Sequence, residues 1–364
     1  METPVTKKKT KKMKREEMEQ QRTDESVDVD EAAATSVEKK TKKKKRRRGE
    51  EENGEEAEGG GVQTVSIAVA GSIIDNAQSS ELATRLAGQI ARAATIFRID
   101  EVIVFDDQAK ATTSNISIWD ADEKNKSGAL FMARILNYLD IPQYLRRTLV
   151  PRHNDLRHVG LLPPLDAPHH ARKHEWVPYR EGVTLDRTSV AGGGTFVDVG
   201  LHKAVCIQQT FEPGLRVTVA MGSKRSLEDD CIRQAVDRSE PNKKMGLYWG
   251  YNVRYSSNIS CVFKECPYQG GYDYSIGTSE HGDKISSGDL EIPKFRHLLI
   301  AFGGLAGLEE NIEQDGDLMG KNVTQLFSRY LNTCPKQGSR TIRTEEAIFI
   351  SLQYFQDPIQ RATI

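Results

Sequence analysis

The sequence predicts an α/β domain that carries an inserted small β-barrel and follows a charged N-terminal tail. Strand and helix patterns alternate over residues 62–165, which is typical of a parallel sheet covered by helices. Residues 166–260 contain short strands between Gly, Pro and charged turns, which is typical of a small barrel. Residues 261–364 return to longer strands and end in an amphipathic segment. We therefore predict a charged tail, two halves of one α/β domain, and an insert between them.

Residues 1–61 form the tail. They hold 17 of the 51 Lys and Arg residues and 16 of the 52 Asp and Glu residues, with almost no large apolar residue. Such a segment cannot bury enough apolar surface to offset the entropy lost on ordering, so we predict that it is disordered. The basic run at residues 39–48 indicates a nuclear or nucleolar address or a nucleic-acid tether. The alternative is a solvated tail without a partner.

The first half of the α/β domain begins with a β-α-β unit. An apolar run at residues 65–69 predicts a buried strand, and the roughly 3.6-residue period of residues 80–97 predicts an amphipathic helix. A second strand is predicted at residues 101–105, and a further helix at residues 127–139. This order predicts two parallel strands joined by a helix.

The insert is predicted from short strands at residues 196–199, 204–207, 215–219 and 248–255. Small barrels of the OB type commonly bind single-stranded nucleic acid on an exposed face. The strand at residues 248–255 is rich in aromatic residues, which either form such a stacking platform or fill the core. We favour the core, because aromatic residues of strands are usually packed.

Three segments of the C-terminal half contain polar or glycine-bearing turns, at residues 272–282, 297–308 and 332–347. Open α/β sheets bind ligands beyond the carboxyl ends of their strands, so these turns are expected to line one pocket. Gly338 is expected to adopt backbone angles forbidden to other residues, which would let main-chain groups close on a ligand. A helix is predicted to begin near Thr344. The alternative is a set of ordinary surface loops.

A basic segment at residues 146–180 predicts an RNA-binding surface, because phosphates need cations and neighbouring aromatic residues stack on bases. Five of the eight histidines also lie there, which raises a metal site, but no nearby cysteines or paired carboxylates support it. We therefore expect no metal. The residues predicted to contact RNA are Arg146, Arg147, Arg152, Arg172 and Lys173.

Other classes of protein are disfavoured by what the sequence lacks. Five irregularly spaced cysteines without Cys-x-x-Cys do not predict a disulfide framework. No apolar run approaches the roughly 18 residues of a membrane span, so we expect no membrane partner. A dinucleotide-dependent oxidoreductase is disfavoured because no Gly-x-Gly-x-x-Gly follows the first strand.

The chain resembles the SPOUT superfamily of class IV RNA methyltransferases, and in particular its eukaryotic and archaeal branch with an OB-like insertion. The resemblance rests on residues 70–78, 145–147, 160–170 and 338–347, and covers roughly residues 62–356. It implies a C-terminal trefoil knot, a homodimer, and S-adenosylmethionine held by the three turns. The implied cofactor-binding residues are Thr278, Ser279, His281, Phe302, Gly303, Gly304, Asn332, Cys334, Gln337, Gly338, Ser339, Thr341 and Ile342. His281 stands where this branch often has arginine.

The resemblance also implies a catalytic residue and an acceptor. Arg92 matches an arginine that approaches the RNA phosphate and the acceptor in SPOUT enzymes. Enzymes of this superfamily that methylate ribose usually carry a glutamate before the glycine of the second turn, but Phe302 precedes Gly303 here. A base nitrogen is therefore expected, with uridine N3 of large-subunit rRNA as the first candidate. Glu280 and Glu345 are candidate proton acceptors.

The rival hypothesis is a non-catalytic RNA-binding or assembly factor that keeps the SPOUT knot. Cofactor binding together with base-specific methylation separates the two. For the enzyme we expect a nuclear, and specifically nucleolar, location.

Overall fold

The computed structural model describes residues 63–108, 117–119, 127–188, 194–227 and 231–363. The predicted disordered tail therefore lies outside the described residues. The described ranges all belong to one unit, Gly61–Ile364.

The larger sheet of the described chain has six strands. They are β1 (Thr64–Ala70), β2 (Glu101–Phe105), β8 (Asn252–Ser256), β9 (Tyr274–Asp283), β10 (His297–Phe302) and β11 (Arg329–Leu331). Their order is β11-β9-β10-β1-β2-β8, and every neighbouring pair is parallel. The central strands are almost wholly buried, as expected for a parallel sheet covered on both faces. The strands predicted at residues 65–69 and 101–105 are confirmed.

The helices that cover this sheet begin and end near the predicted residues. They include α1 (Ser80–Ile96), α2 (Gly128–Asp140) and the last helix, α8 (Thr344–Thr363). Ser79 caps α1 by accepting a hydrogen bond from the Leu82 amide. Helices α1 and α8 meet where the rings of Phe97 and Phe349 lie edge to face, 6.3 Å apart. Shorter helices are α3 (Arg146–Leu149), α4 (Glu240–Met245), α5 (Ile259–Lys264), α6 (Gly307–Gln314) and α7 (Val323–Leu326), with 3-10 turns at Gly71–Asn76 and Asn154–Leu161.

The smaller sheet is antiparallel and contains β3 (Tyr179–Thr188), β4 (Thr195–Asp198), β5 (Val205–Ile207), β6 (Arg216–Ala220) and β7 (Gln234–Val236). Its order is β5-β4-β3-β6-β7. The backbone of Arg233, just before β7, donates to the Cys206 carbonyl at 2.8 Å and accepts from the Gln208 amide at 3.0 Å. Because these contacts join the edge strand β5 to the start of the other edge strand, β7, the sheet is curled around a small apolar core. That core contains Val197, Val199, Val205, Ile207, Val219 and Met221.

The assignment of residues 248–255 to the insert's sheet is wrong. The strand there is Asn252–Ser256, and it pairs in parallel with β2 at the edge of the larger sheet. The expectation that its aromatic residues fill the core is confirmed for Tyr248, Trp249 and Tyr251, which are 7%, 5% and 1% exposed. These side chains are therefore not a stacking platform for bases.

A buried charge cluster joins the curled sheet to helix α2. Asp140, at the end of α2, lies 2.7 Å from Arg216 of β6 and 3.0 Å from Arg238. Arg216 also lies 2.6 Å from Glu181 of β3. Buried carboxylates are tolerated when ion pairs and hydrogen bonds replace their hydration, so this cluster fixes the curled sheet against α2.

No helix among the described residues is both long and apolar enough to span a bilayer.

Candidate functional site

Because the six strands are parallel, their carboxyl ends lie along one edge of the larger sheet, and the three predicted turns meet there. We name them loop 1 (residues 278–283), loop 2 (residues 303–307) and loop 3 (residues 332–343). The turn predicted at loop 1 is wrong, because these residues continue strand β9 to Asp283. The Asn332 side chain donates to the Glu280 carbonyl at 2.8 Å, which joins loops 1 and 3. The Thr344 hydroxyl donates to the Gly303 carbonyl at 3.2 Å, which joins loop 2 to the end of loop 3. The structure therefore brings the three segments together.

Loop 2 is a tight turn in which glycines are required by space and by backbone angle. A Cβ on Gly303 would lie 2.4 Å from the backbone of Gly307, and Gly307 itself has φ +86°, where side chains are strained. A Cβ on Gly304 would lie 2.7 Å from the Ser72 hydroxyl. The side chain of Phe302, just before the turn, is buried in the core, so only its backbone faces the loops.

Hydrogen bonds between side chains and the backbone order loop 3. Asn332 is buried, and its side-chain oxygen accepts a hydrogen bond from the Cys334 amide at 3.0 Å. The Gln337 side chain donates to the Ser339 carbonyl at 3.1 Å. Gly338 lies between them, and a Cβ there would meet no atom within 4 Å. The expectation of special backbone angles at Gly338 is wrong, because its φ is not in the positive region.

Loop 1 also makes a polar contact with Glu309, which lies in the first turn of α6, just after loop 2. The Glu309 carboxylate lies 3.3 Å from the Ser279 hydroxyl and 3.2 Å from Nδ1 of His281. Burial raises the pKa of Glu309, but the neighbouring Tyr330 phenol and His281 outweigh it, so the pKa is below its ordinary value. Glu309 therefore places a fixed negative charge beside the loops.

The other predicted cofactor-binding residues are placed as follows. Thr278 is half-buried and donates to the Ala301 carbonyl at 2.9 Å. His281 is well exposed. Ser339 and Thr341 are exposed and Ile342 is half-buried at the end of loop 3.

A group of polar side chains beside loop 2 was not singled out from the sequence. Asp107 accepts hydrogen bonds from the Ser72 backbone at 2.9 Å and from the Asn311 side chain at 3.1 Å, and Asn311 in turn accepts from the Gly304 amide at 3.3 Å. Burial, followed by the charges of Asp107 and Asp106, raises the pKa of Asp75. For Ser72, Asp75 and Asp107 the available signal was their position directly after the strands β1 and β2.

Arg92 lies on α1 and is half-buried. Its guanidinium donates to the Leu165 carbonyl at 2.6 Å, which ties it to the segment at residues 160–170. Within the described residues it forms no ion pair with a carboxylate. The structure thus places Arg92 beside a segment that carries the resemblance. Among the described residues its guanidinium makes no hydrogen bond or ion pair with the three loops.

The predicted RNA-binding residues divide into tethered and exposed side chains. Arg146 is half-buried. It donates to the carbonyls of Ile141 and Leu139 and lies over the Tyr138 ring, so its guanidinium is held against the protein. Arg147, Arg152, Arg172 and Lys173 are exposed.

Two basic residues of this segment do not contribute to its surface. Arg180 is wholly buried and donates to the carbonyls of Val199 and Glu175. His169 is 1% exposed and contacts Asp140. Within the described ranges, no group of three or more His, Cys, Asp or Glu side chains is arranged to hold a metal ion.

Comparison with known proteins gives consistent matches over most of the chain. Residues 64–355 match the model of a family described as putative RNA methyltransferase. A human 28S rRNA (uridine-N(3))-methyltransferase is 48% identical over 302 residues, which cover 82% of this chain and 79% of the relative. The mouse protein of the same name is 50% identical over 294 residues, 80% and 76% of the two chains. The fruit-fly protein of that name is 45% identical over 307 residues, 82% and 62%.

Proposed function

Because the chain belongs to this family of RNA methyltransferases, we propose that it transfers a methyl group from S-adenosylmethionine to N3 of a uridine in large-subunit rRNA. The observation that carries the proposal is identity of 48% and 50% to two relatives named for that reaction, over about four-fifths of the chain. We also propose the trefoil knot, the OB-like character of the insert, the homodimer and the nucleolar location.

The residues of the three loops fit the proposed cofactor. A Cβ on Gly338 of loop 3 would meet no protein atom within 4 Å, which leaves room for a ligand there. The buried side chain of Asn332 holds loop 3 against loop 1 through its hydrogen bond to the Glu280 carbonyl. Glu309 supplies a negative charge that suits a cationic ligand. S-adenosylmethionine, when bound, supplies the activated methyl group. The loops orient their ligands, and orientation alone contributes several kcal/mol to such a displacement.

The acceptor atom is supported by the composition of loop 2. Buried Phe302 precedes Gly303, so no carboxylate stands where ribose-methylating relatives of the superfamily usually carry glutamate. Uridine N3 must lose a proton during the transfer. Glu280 on loop 1 has a side chain 58% exposed and is available to an RNA ligand, whereas Glu345 is buried in the first turn of α8. This placement favours Glu280 over Glu345 as the proton acceptor.

The proposal is tested with purified protein, labelled S-adenosylmethionine and unmodified large-subunit rRNA. We expect label in N3-methyluridine after digestion of the RNA to nucleosides. Label in a 2′-O-methylated nucleoside would overturn the assignment of the acceptor, and cofactor binding without any transfer would favour the non-catalytic assembly factor.

Arg92→Ala is expected to retain cofactor affinity but to lose methyl transfer, because the proposed contact is with RNA near the transition state. Arg92→Lys is the matched variant, since it keeps the charge. Loss of the hydrogen bond to Leu165 alone would lower stability by about 1 kcal/mol without removing turnover. Full transfer activity of Arg92→Ala would contradict the assigned role.

The site's division between subunits is tested by mixing Arg92→Ala with Gly338→Asp. If each site combines Arg92 of one subunit with the loops of the other, mixed dimers recover one working site. Activity absent from the mixture places the whole site within one chain.

A further inference from the structure

The curled sheet carries a pocket of about 490 Å³ that is separate from the three loops. It is formed where three connecting segments of the insert meet, at residues 173–176, 201–203 and 225–227. Its volume lies in the range of sites that hold small organic groups. The side chains that give it chemical character are Lys173, His174, Trp176, His202, Lys203 and Arg225.

The pocket is strongly basic. Glu175 is its acidic lining residue, and that carboxylate accepts a hydrogen bond from the Arg172 backbone at 3.1 Å. Lys173 and Arg225 are exposed and form no ion pair within the described part of the chain. An excess of such cations around a concave surface attracts and holds phosphate groups.

One wall of the pocket is aromatic and rigid. The Trp176 indole donates to the Gly222 carbonyl at 2.9 Å, and the ring packs against the apolar core of the curled sheet. The ring is half-buried, and Leu201 and Leu227 lie beside it in the lining. Flat aromatic surfaces next to cations are the usual means of binding an unpaired nucleotide, because every base has a face that can stack.

We propose that this pocket binds an unpaired nucleotide of the RNA substrate, with the phosphate held by Lys173 and Arg225 and the base against Trp176. The inference rests on the proposed RNA methyltransferase function and adds a second contact point outside the loops. Because the pocket is on the insert, it would hold RNA without touching the cofactor. It therefore acts on RNA affinity and on KM rather than on methyl transfer within the bound complex.

The test measures binding of an unpaired RNA of about 12 nucleotides to the full chain over a range of salt concentrations. The logarithm of the affinity falls linearly with the logarithm of the salt concentration. Lys173→Ala with Arg225→Ala is expected to make this fall shallower by up to about 1.4, because each lost phosphate contact removes about 0.7 from its magnitude. Lys243→Ala with Lys321→Ala is the matched control, which removes the same charge from exposed positions outside the pocket. Its slope is expected to equal that of the wild type.

Trp176→Ala is expected to weaken RNA binding roughly tenfold, and Trp176→Phe less, because it retains a ring that can stack. Equal salt slopes for the pocket and control variants would overturn the inference. So would unchanged affinity of a folded Trp176→Ala. These binding results do not depend on turnover, so absence of N3-methyluridine from the wild-type reaction would defeat the proposed function separately.

Discussion

Gly338→Asp is expected to leave the protein folded and to lower its affinity for S-adenosylmethionine by at least about 100-fold. The new side chain meets no protein atom within 4 Å of its Cβ, so it has room in the free protein. In the complex it would occupy space assigned to the ligand and would bring an unpaired charge into the contact, which is costly. Calorimetric titration measures the affinity, and thermal unfolding measures the stability.

The matched control is Gly316→Asp. Gly316 is also open, with no atom within 4 Å of a built Cβ, but it lies after α6 and outside the three loops. Its variant should bind the cofactor as the wild type does. Gly304→Asp is a poorer test, because its Cβ already crowds the Ser72 hydroxyl and the new carboxylate would face Asp107. Wild-type affinity in folded Gly338→Asp would remove loop 3 from the site.

Asp140→Asn is expected to lower the free energy of unfolding by about 3 kcal/mol, because removing one partner of a buried pair leaves the other charges uncompensated. Asp140 contacts Arg216, Arg238 and the Tyr251 amide, and its side chain is 3% exposed. The value is at the lower end of the range because Arg216 keeps Glu181. Urea unfolding measures the change.

The pH dependence of this effect has a definite sign. Burial raises the pKa of Asp140, but Arg238 and Arg216 outweigh it and hold the pKa well below its ordinary value. Such a carboxylate stabilises the fold above its unfolded pKa of about 4 and loses that contribution as pH falls further. The difference between wild type and Asp140→Asn should therefore shrink below about pH 4.

Glu240→Gln is the control, because its ion-pair partner Lys244 is 64% exposed and Glu240 itself is only partly buried. We expect it to change the free energy of unfolding by less than about 0.5 kcal/mol. Equal destabilisation by the two substitutions would show that the buried cluster does not fix the curled sheet.

The elements that the sequence predicts well are those specified by local patterns. The period of residues 80–97 and the apolar run at residues 65–69 predict a helix and a strand within one or two residues of those observed. The partner of residues 252–256 is not local: that strand pairs with β2, about 150 residues earlier, and aromatic content does not encode this pairing.

Burial and backbone angle explain the remaining differences at the candidate sites. From the sequence Arg180 was counted as a surface cation, but strand β3 turns it inward. There its Nε and Nη1 donate to backbone carbonyl oxygens. Gly338 was singled out for its flexibility, whereas its φ is not positive and a Cβ there would meet no atom within 4 Å. The basic pocket joins three distant segments, and of these only residues 173–176 lie within the basic segment that was predicted from sequence to contact RNA.

The central claim is that this chain methylates uridine N3 of large-subunit rRNA in the cell. The most direct measurement is mass spectrometry of large-subunit rRNA nucleosides from cells lacking the protein, complemented with wild type or with Gly338→Asp. The account predicts that N3-methyluridine is lost, that wild type restores it, and that Gly338→Asp does not, although both proteins accumulate equally. Unchanged N3-methyluridine in cells lacking the protein, or full restoration by Gly338→Asp shown not to bind the cofactor, would contradict it.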